Sequence, residues 1–269
     1  MITAWMPVTY GEELFLNLYE ELGEHMRVTG PKGSQMEYLV NFPAFETFAK
    51  LSATCEVFLR CVRCAIDQYR QGSSAPAIRF AQAARRELDL PSQLLQNQKF
   101  AERLKQVGRI ASEQHRDRTI EANATRNEPN QCYLCGETLT KTGHSTRTIE
   151  HLWPLSLGGE TVENNLILAC NDCNSKRGHM MTWACGPVHS TYYTYSSNNP
   201  KTKNPPADLR LSLALARLMQ AAAPMRGRRE PRTLKEAAQL VRPAILDLDV
   251  QKDRPYVYFE LLQEMREPA

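Results

Sequence analysis

The sequence predicts an α+β fold that is mostly helical, with one small cysteine-bearing β module embedded between helical N- and C-terminal regions. Three observations carry this. Apolar residues recur at helical spacing through much of the first 125 residues; composition then shifts to Asn, Pro, Gly and Thr at "ANATRNEPNQCYLCGETLTKTGHS"; and two Cys-x-x-Cys pairs bracket two short β-prone runs. On this reading the chain divides into a helical region over 1–126, a compact module over 127–186 and a basic helical region over 187–269.

The elements follow in order. Glu12 to His25 predicts a first helix. From Ala44 to Tyr69, the positions Phe48, Leu51, Cys55, Phe58, Leu59, Val62, Ile66 and Tyr69 form one apolar stripe, which predicts a long second helix. A shorter helix is expected over Ala77 to Leu88, and another long one after Pro91, with Phe100, Leu104, Val107 and Ala111 on its buried face. Thr146 to Glu150 and Leu166 to Ala169 read as strands joined through a turn that begins at Gly158-Gly159, and Asn171 or Asp172 is placed to cap a helix running through Trp183. Gly186-Pro187 reads as a helix stop, "YSSNNPKTKNPPAD" as a linker, and Leu209 to Ala222 and Leu234 to Leu246 as closing helices.

A chain of 269 residues with 42% hydrophobic content buries a sizeable core, so disorder is not expected. No apolar run approaches the ~20 residues of a membrane span. "MITAWMPVTYGEEL" lacks the basic stretch and apolar core of a signal peptide. Eight cysteines without an export signal point to metal rather than disulfides, and the expected location is a reducing cytoplasm.

Cys132/Cys135 and Cys170/Cys173 are separated by 34 residues. Four thiolates in two such pairs suit tetrahedral zinc, and a closed four-sulfur site is structural rather than catalytic; free thiols are the plainer alternative. Cys61 and Cys64 share the spacing but lie on the long helical stripe with no second pair nearby, so they are read as core or interface residues, as are Cys55 and Cys185.

Between the zinc pairs stand Glu150-His151, "PLSLGG" and "ENNL", and Asn174 and Lys176 follow the last cysteine. In this order the segment 132–178 resembles the HNH endonuclease family, whose ββα-metal motif often sits on a two-knuckle zinc site. The resemblance implies His151 as general base, Glu150 as first ligand of a catalytic cation, Asn165 as the middle Asn that braces the loop and strands, and Asn174 where many members carry the final His. An amide is a poorer ligand for soft metals than imidazole, so Mg²⁺ or Mn²⁺ is favoured at that position.

The residues make chemical sense without the resemblance. An imidazole that titrates near neutrality suits activation of a water. Glu150 and the amide oxygen of Asn174 are hard donors for a cation that takes phosphate oxygens as its other ligands. Taken singly each is weak evidence, since a strand-end His is usually an ordinary polar residue; their joint order carries the reading.

Lys176 and Arg177, expected on the first turn of the helix, are candidate phosphate contacts, with a solvated face as the alternative; His144 and His179 are weaker ones. Residues 126–186 hold five Lys/Arg against six acids, too balanced to attract a polyanion. Residues 201–242 hold ten Lys/Arg against three acids, densest around Arg226, Arg228, Arg229 and Arg232, which is the expected footprint of nucleic-acid backbone binding. The sequence reading is therefore a Mg²⁺- or Mn²⁺-dependent endonuclease with structural zinc, acting on double-stranded DNA by nicking. By resemblance, it serves in anti-phage defence or restriction, alongside protein partners of such a system. The alternative is a non-catalytic zinc-containing DNA-binding or complex-assembly protein.

Overall fold

The computed structural model describes residues 6–25, 43–88, 90, 94, 96–133, 135–177, 233–236 and 238–239. The expected helices over 209–222 and most of 234–246, the linker, the Gly186-Pro187 stop, Cys185 and His179 lie outside the described residues. Within them the chain runs α1 (Tyr10–His25), α2 (Pro43–Gln71), α3 (Ala77–Glu87), α4 (Gln98–Glu113), α5 (Arg118–Ala124), β1 (Arg147–His151), β2 (Leu166–Cys170) and α6 (Asn171–Arg177), with 3-10 turns at Leu155–Leu157 and Glu163–Asn165 in the β1–β2 loop. This is a mostly helical α+β fold.

Local chemistry sets the boundaries. Helix α1 begins two residues earlier than the apolar pattern suggests because Thr9 and Glu12 form a capping box: the Glu12 carboxylate accepts from the Thr9 amide at 3.0 Å, and the Thr9 hydroxyl accepts from the Glu12 amide at 3.3 Å. Helix α4 starts at Gln98 because the Asn97 side chain accepts from the Lys99 and Phe100 amides. It buries Phe100, Leu104, Val107 and Ala111 as the periodicity predicts. Helix α2 extends the expected span by a residue or two at each end. Cys55 and Cys61 are fully buried on it, and burial pushes the Cys61 thiol up to about 12, the condition of an inert packing residue.

The two strands pair antiparallel from Arg147↔Cys170 to His151↔Leu166. The other edge of β2 is closed: the Tyr133 amide donates to the Leu168 carbonyl at 3.1 Å, and the Leu168 amide donates to Glu128 at 3.0 Å. Glu128 in turn pairs at 3.2 Å with Lys235, whose ammonium also donates to the Ala124 and Glu163 carbonyls. Lys235 belongs to the basic segment of the sequence, yet here it is buried and neutralised, so it adds nothing to a surface field. It pins residues 233–236 to the hairpin, with Leu234 and Ala238 in the core.

One hydrophobic cluster runs from the helices into the hairpin loop, and Trp153 is its hinge. The indole meets Phe15 of α1 and Phe58 of α2 edge-on, at centroid distances of 5.5 and 5.6 Å, while its Nε1 donates to the Leu157 carbonyl at 3.0 Å. Helix α1 closes on this loop directly: the Gly11 amide donates to the Gly158 carbonyl, and the Tyr10 amide to Glu160. A Cβ at position 11 would lie 2.2 Å from Trp153 Nε1 and 2.3 Å from the Leu157 carbonyl oxygen. Gly11→Ala is therefore expected to destabilise the protein by about 1–3 kcal/mol, the usual cost of overpacking. A thermal melt that matches wild type would show that α1 is not seated on the loop.

Candidate metal and nuclease site

The first cysteine pair sits on a turn in which the Gly136 amide donates to the Cys132 carbonyl and Gly136 takes a φ of 75°, open to glycine at little cost. The second pair joins the end of β2 to α6. The sulfur of Cys170 accepts from the Cys173 amide at 3.3 Å, so the cysteine itself caps the helix, in the position expected for Asn171 or Asp172. A sulfur at this place can serve both as cap and as ligand. The four sulfurs lie within 4.8 Å of one another, and Cys135 and Cys170 stand 3.8 Å apart. A tetrahedron of Zn–S bonds near 2.3 Å has edges of about 3.8 Å, so the donor set fits zinc. Thiol donation from Cys135 and then Cys173 holds Cys132 far below the usual thiol range, while Cys135 and Cys173 are raised by that same sharing with the Cys132 thiolate. The cluster thus concentrates anionic sulfur, and a cation entering it displaces the remaining protons.

Strand β1 carries the other candidates. Alternation along the strand puts Thr148 and Glu150 on one face and Ile149 and His151 on the other. Asn174 of α6 donates from Nδ2 to the Thr148 hydroxyl at 3.0 Å, so it stands over the face that Glu150 shares. Its Oδ1, the hard oxygen donor, has no hydrogen-bond partner among the described residues. Glu150 is buried at 4% exposure.

His151 is held from a different direction. Its Nε2 lies 3.0 Å from the Thr161 hydroxyl, which lies 3.3 Å from the His115 carbonyl. The one Thr161 proton can serve either the imidazole or the His115 carbonyl, and in both cases the hydroxyl holds the ring at Nε2. Burial, then the charge of Arg116, pushes the imidazole down to about 4. At neutral pH it is uncharged and able to take a proton. The linkage has a definite sign: the folded value lies below the 6.5 of a free imidazole, so the unfolded chain binds the proton first as pH falls. The stabilisation is complete above pH 6.5 and is lost progressively toward pH 4, by up to about 3 kcal/mol. Urea unfolding of wild type and His151→Gln at pH 7.5 and 5.5 isolates this contribution. A gap between the two proteins that stays constant with pH would contradict it.

Asn165 is completely buried and tied to backbone. Its Oδ1 accepts from the Trp153 amide at 2.7 Å, and its Nδ2 donates to the Trp153 and Glu160 carbonyls. It clamps both ends of the loop that leaves His151. Lys176 and Arg177 fall in the second turn of α6 rather than the first, and their side chains lie outside the described residues, as do Arg226, Arg228, Arg229 and Arg232. His144 is exposed on the loop before β1, where its carbonyl accepts from the Asp172 amide. Thr161, His115 and Arg116 are brought to His151 by the fold without having been singled out in the sequence. Thr161 lies in the loop ten residues on, and no motif signals a backbone carbonyl from another helix connection.

A strand pair, a capping helix and four sulfurs that could hold a metal ion, with an acid-histidine pair at the end of the first strand, make up a small metal-site module. Residues 132–186 match the family described as HNH endonuclease, so this segment is similar to an HNH nuclease module. The match does not extend to α1–α5. No curated protein and no solved structure matches the chain. No helix among the described residues is long and apolar enough to cross a membrane.

Proposed function

We propose that this protein is a Mg²⁺- or Mn²⁺-dependent endonuclease that cuts one strand of double-stranded DNA per binding event. The observation that carries the reading is the acid-histidine pair at the end of β1 beside the four-sulfur cluster, within the segment similar to HNH endonucleases. In-line displacement at phosphorus needs an activated water on one side and stabilisation of the leaving oxygen on the other. Glu150 and the Oδ1 of Asn174 are hard donors suited to a divalent cation, and the imidazole next to Glu150 is uncharged at neutral pH. A bound divalent cation supplies charge neutralisation at the non-bridging and leaving oxygens. His151 removes a proton from the water as its oxygen attacks phosphorus. The bond to the 3′-oxygen breaks, that oxygen takes a proton from solvent, and the products carry 5′-phosphate and 3′-hydroxyl.

Glu150 and Asn174 are the residues assigned to the cation, Cys132, Cys135, Cys170 and Cys173 to structural zinc, and Asn165 to bracing. Lys176, Arg177 and the basic stretch at Arg226, Arg228, Arg229 and Arg232 are assigned to the DNA backbone. Residues 1–126, 127–186 and 187–269 act as a helical region, the nuclease module and a basic arm in a cytoplasmic protein of anti-phage defence or restriction. The near-balanced charge of the module supports that division, since a polyanion needs the arm to be held.

One metal centre with one histidine aligns one water with one phosphodiester, and the second strand of a duplex presents its phosphates in the opposite direction. Concerted cutting of both strands would need a second copy related by a two-fold axis. Supercoiled plasmid with Mg²⁺ is expected to become open circle first, with linear DNA following through independent nicks. Linear product from the earliest time points would overturn the single-strand reading. Binding without any cleavage would favour the non-catalytic alternative.

A further inference from the structure

The connection between α4 and α5 is shaped by two local devices. Gln114 closes α4 in the left-handed region with a φ of 46°, its amide bonded to the Ile110 carbonyl, and the Asp117 carboxylate caps α5 by accepting from the Thr119 and Ile120 amides. Between them Arg116 is held against β1. The His115 carbonyl anchors Thr161, and thereby His151. Arg116 donates from Nε to the buried Glu121 carboxylate at 2.6 Å and from Nη2 to the Ile149 carbonyl at 3.4 Å.

Two features argue against a purely bracing role. The pair with Glu121 uses only Nε, while Nη1 has no hydrogen-bond partner among the described residues and the side chain is half exposed. The guanidinium is also fixed to the carbonyl of the residue just before Glu150-His151. A cation so placed meets the charge that builds on non-bridging oxygens during phosphoryl transfer, and the planar guanidinium matches phosphate geometry. We propose that Arg116, which lies outside the family match, is a substrate-contacting residue that donates from Nη1 to a phosphate of the nucleic-acid backbone at or beside the scissile bond. This deepens the nuclease reading and rests on it for the identity of the phosphate.

Removing Arg116 alone would strand a buried carboxylate, so the test uses Arg116→Gln/Glu121→Gln, with folding checked by thermal melt and zinc content. Cleavage is expected to fall about 10²- to 10³-fold, the usual loss for one transition-state donor, with kcat affected more than KM. Binding is read separately in a His151→Ala background, with short labelled duplex DNA and with single-stranded RNA. Loss of one phosphate contact should lower the salt slope by about 0.9 on the duplex. A folded double variant with unchanged slope on both probes, or one that cleaves at the wild-type rate, overturns the proposal. A reduced slope in a protein that never cleaves sustains the contact and sinks the nuclease reading; a slope change on RNA alone sustains the contact and moves the substrate to RNA. Binding of neither probe sinks both. Should the double variant unfold, Arg116→Lys decides: the ammonium can still pair with Glu121, and a wild-type rate would show that the guanidinium is not a substrate contact.

Discussion

Cys170→Ser is expected to leave residues 127–177 without a stable fold. Cys170 ends β2, supplies one of four converging sulfurs and caps α6 through the Cys173 amide, so one substitution releases a strand end, a metal ligand and a helix start. Structural zinc contributes an apparent ~10–16 kcal/mol to small metal-dependent folds, as much as the whole stability of an ordinary domain at about 5–15 kcal/mol. The variant should lose its zinc by elemental analysis and become sensitive to protease across the hairpin, and a strong chelator should reproduce this in the wild-type protein. Helices α1 to α4 keep much of their own packing, but Trp153 withdraws from Phe15 and Phe58, so the melting temperature of the remainder should also drop. A soluble, zinc-free variant with the wild-type melting curve would show that the four sulfurs are ordinary thiols.

His151→Ala is expected to remove about 10²- to 10⁴-fold of the cleavage rate while changing DNA affinity little. General-base catalysis acts on a proton that moves in the transition state, and an uncharged imidazole contributes almost nothing to holding a polyanion beforehand. Filter binding and initial rates on the same plasmid separate the two quantities. The substitution also leaves the Thr161 hydroxyl without its imidazole partner, so zinc content and thermal melting accompany the kinetics to show that the hairpin is intact. Glu150→Ala should instead raise the Mg²⁺ concentration needed for half-maximal rate. Cleavage by His151→Ala at the wild-type rate would mean that the base lies elsewhere.

What the sequence determined by itself is what local rules govern. Cysteine pairs at two-residue spacing announce a metal site because a single knuckle turn brings both sulfurs to one side. The stripes from Phe48 to Tyr69 and from Phe100 to Ala111 announce helices because burial follows the 3.6-residue period. The order strand, loop, strand, helix between Thr146 and Arg177 was legible for the same reason, and with it the candidates Glu150, His151, Asn165 and Asn174. Caps were less so: Thr9 with Glu12 and Asn97 shift helix starts by side-chain bonds that a hydrophobic pattern does not register.

The tertiary structure alone decided what depends on contacts between distant residues. Thr148 anchors Asn174 and Thr161 anchors His151, contacts that no sequence motif announces. Lys235 is buried against Glu128 although its neighbours in sequence suggested a solvent-facing charge. Gly11 and Trp153 meet across 142 positions, and Arg116 reaches the Ile149 carbonyl across 33. Such pairs follow from how helices and hairpin share one core, and packing of that kind leaves no periodicity in the sequence to announce it.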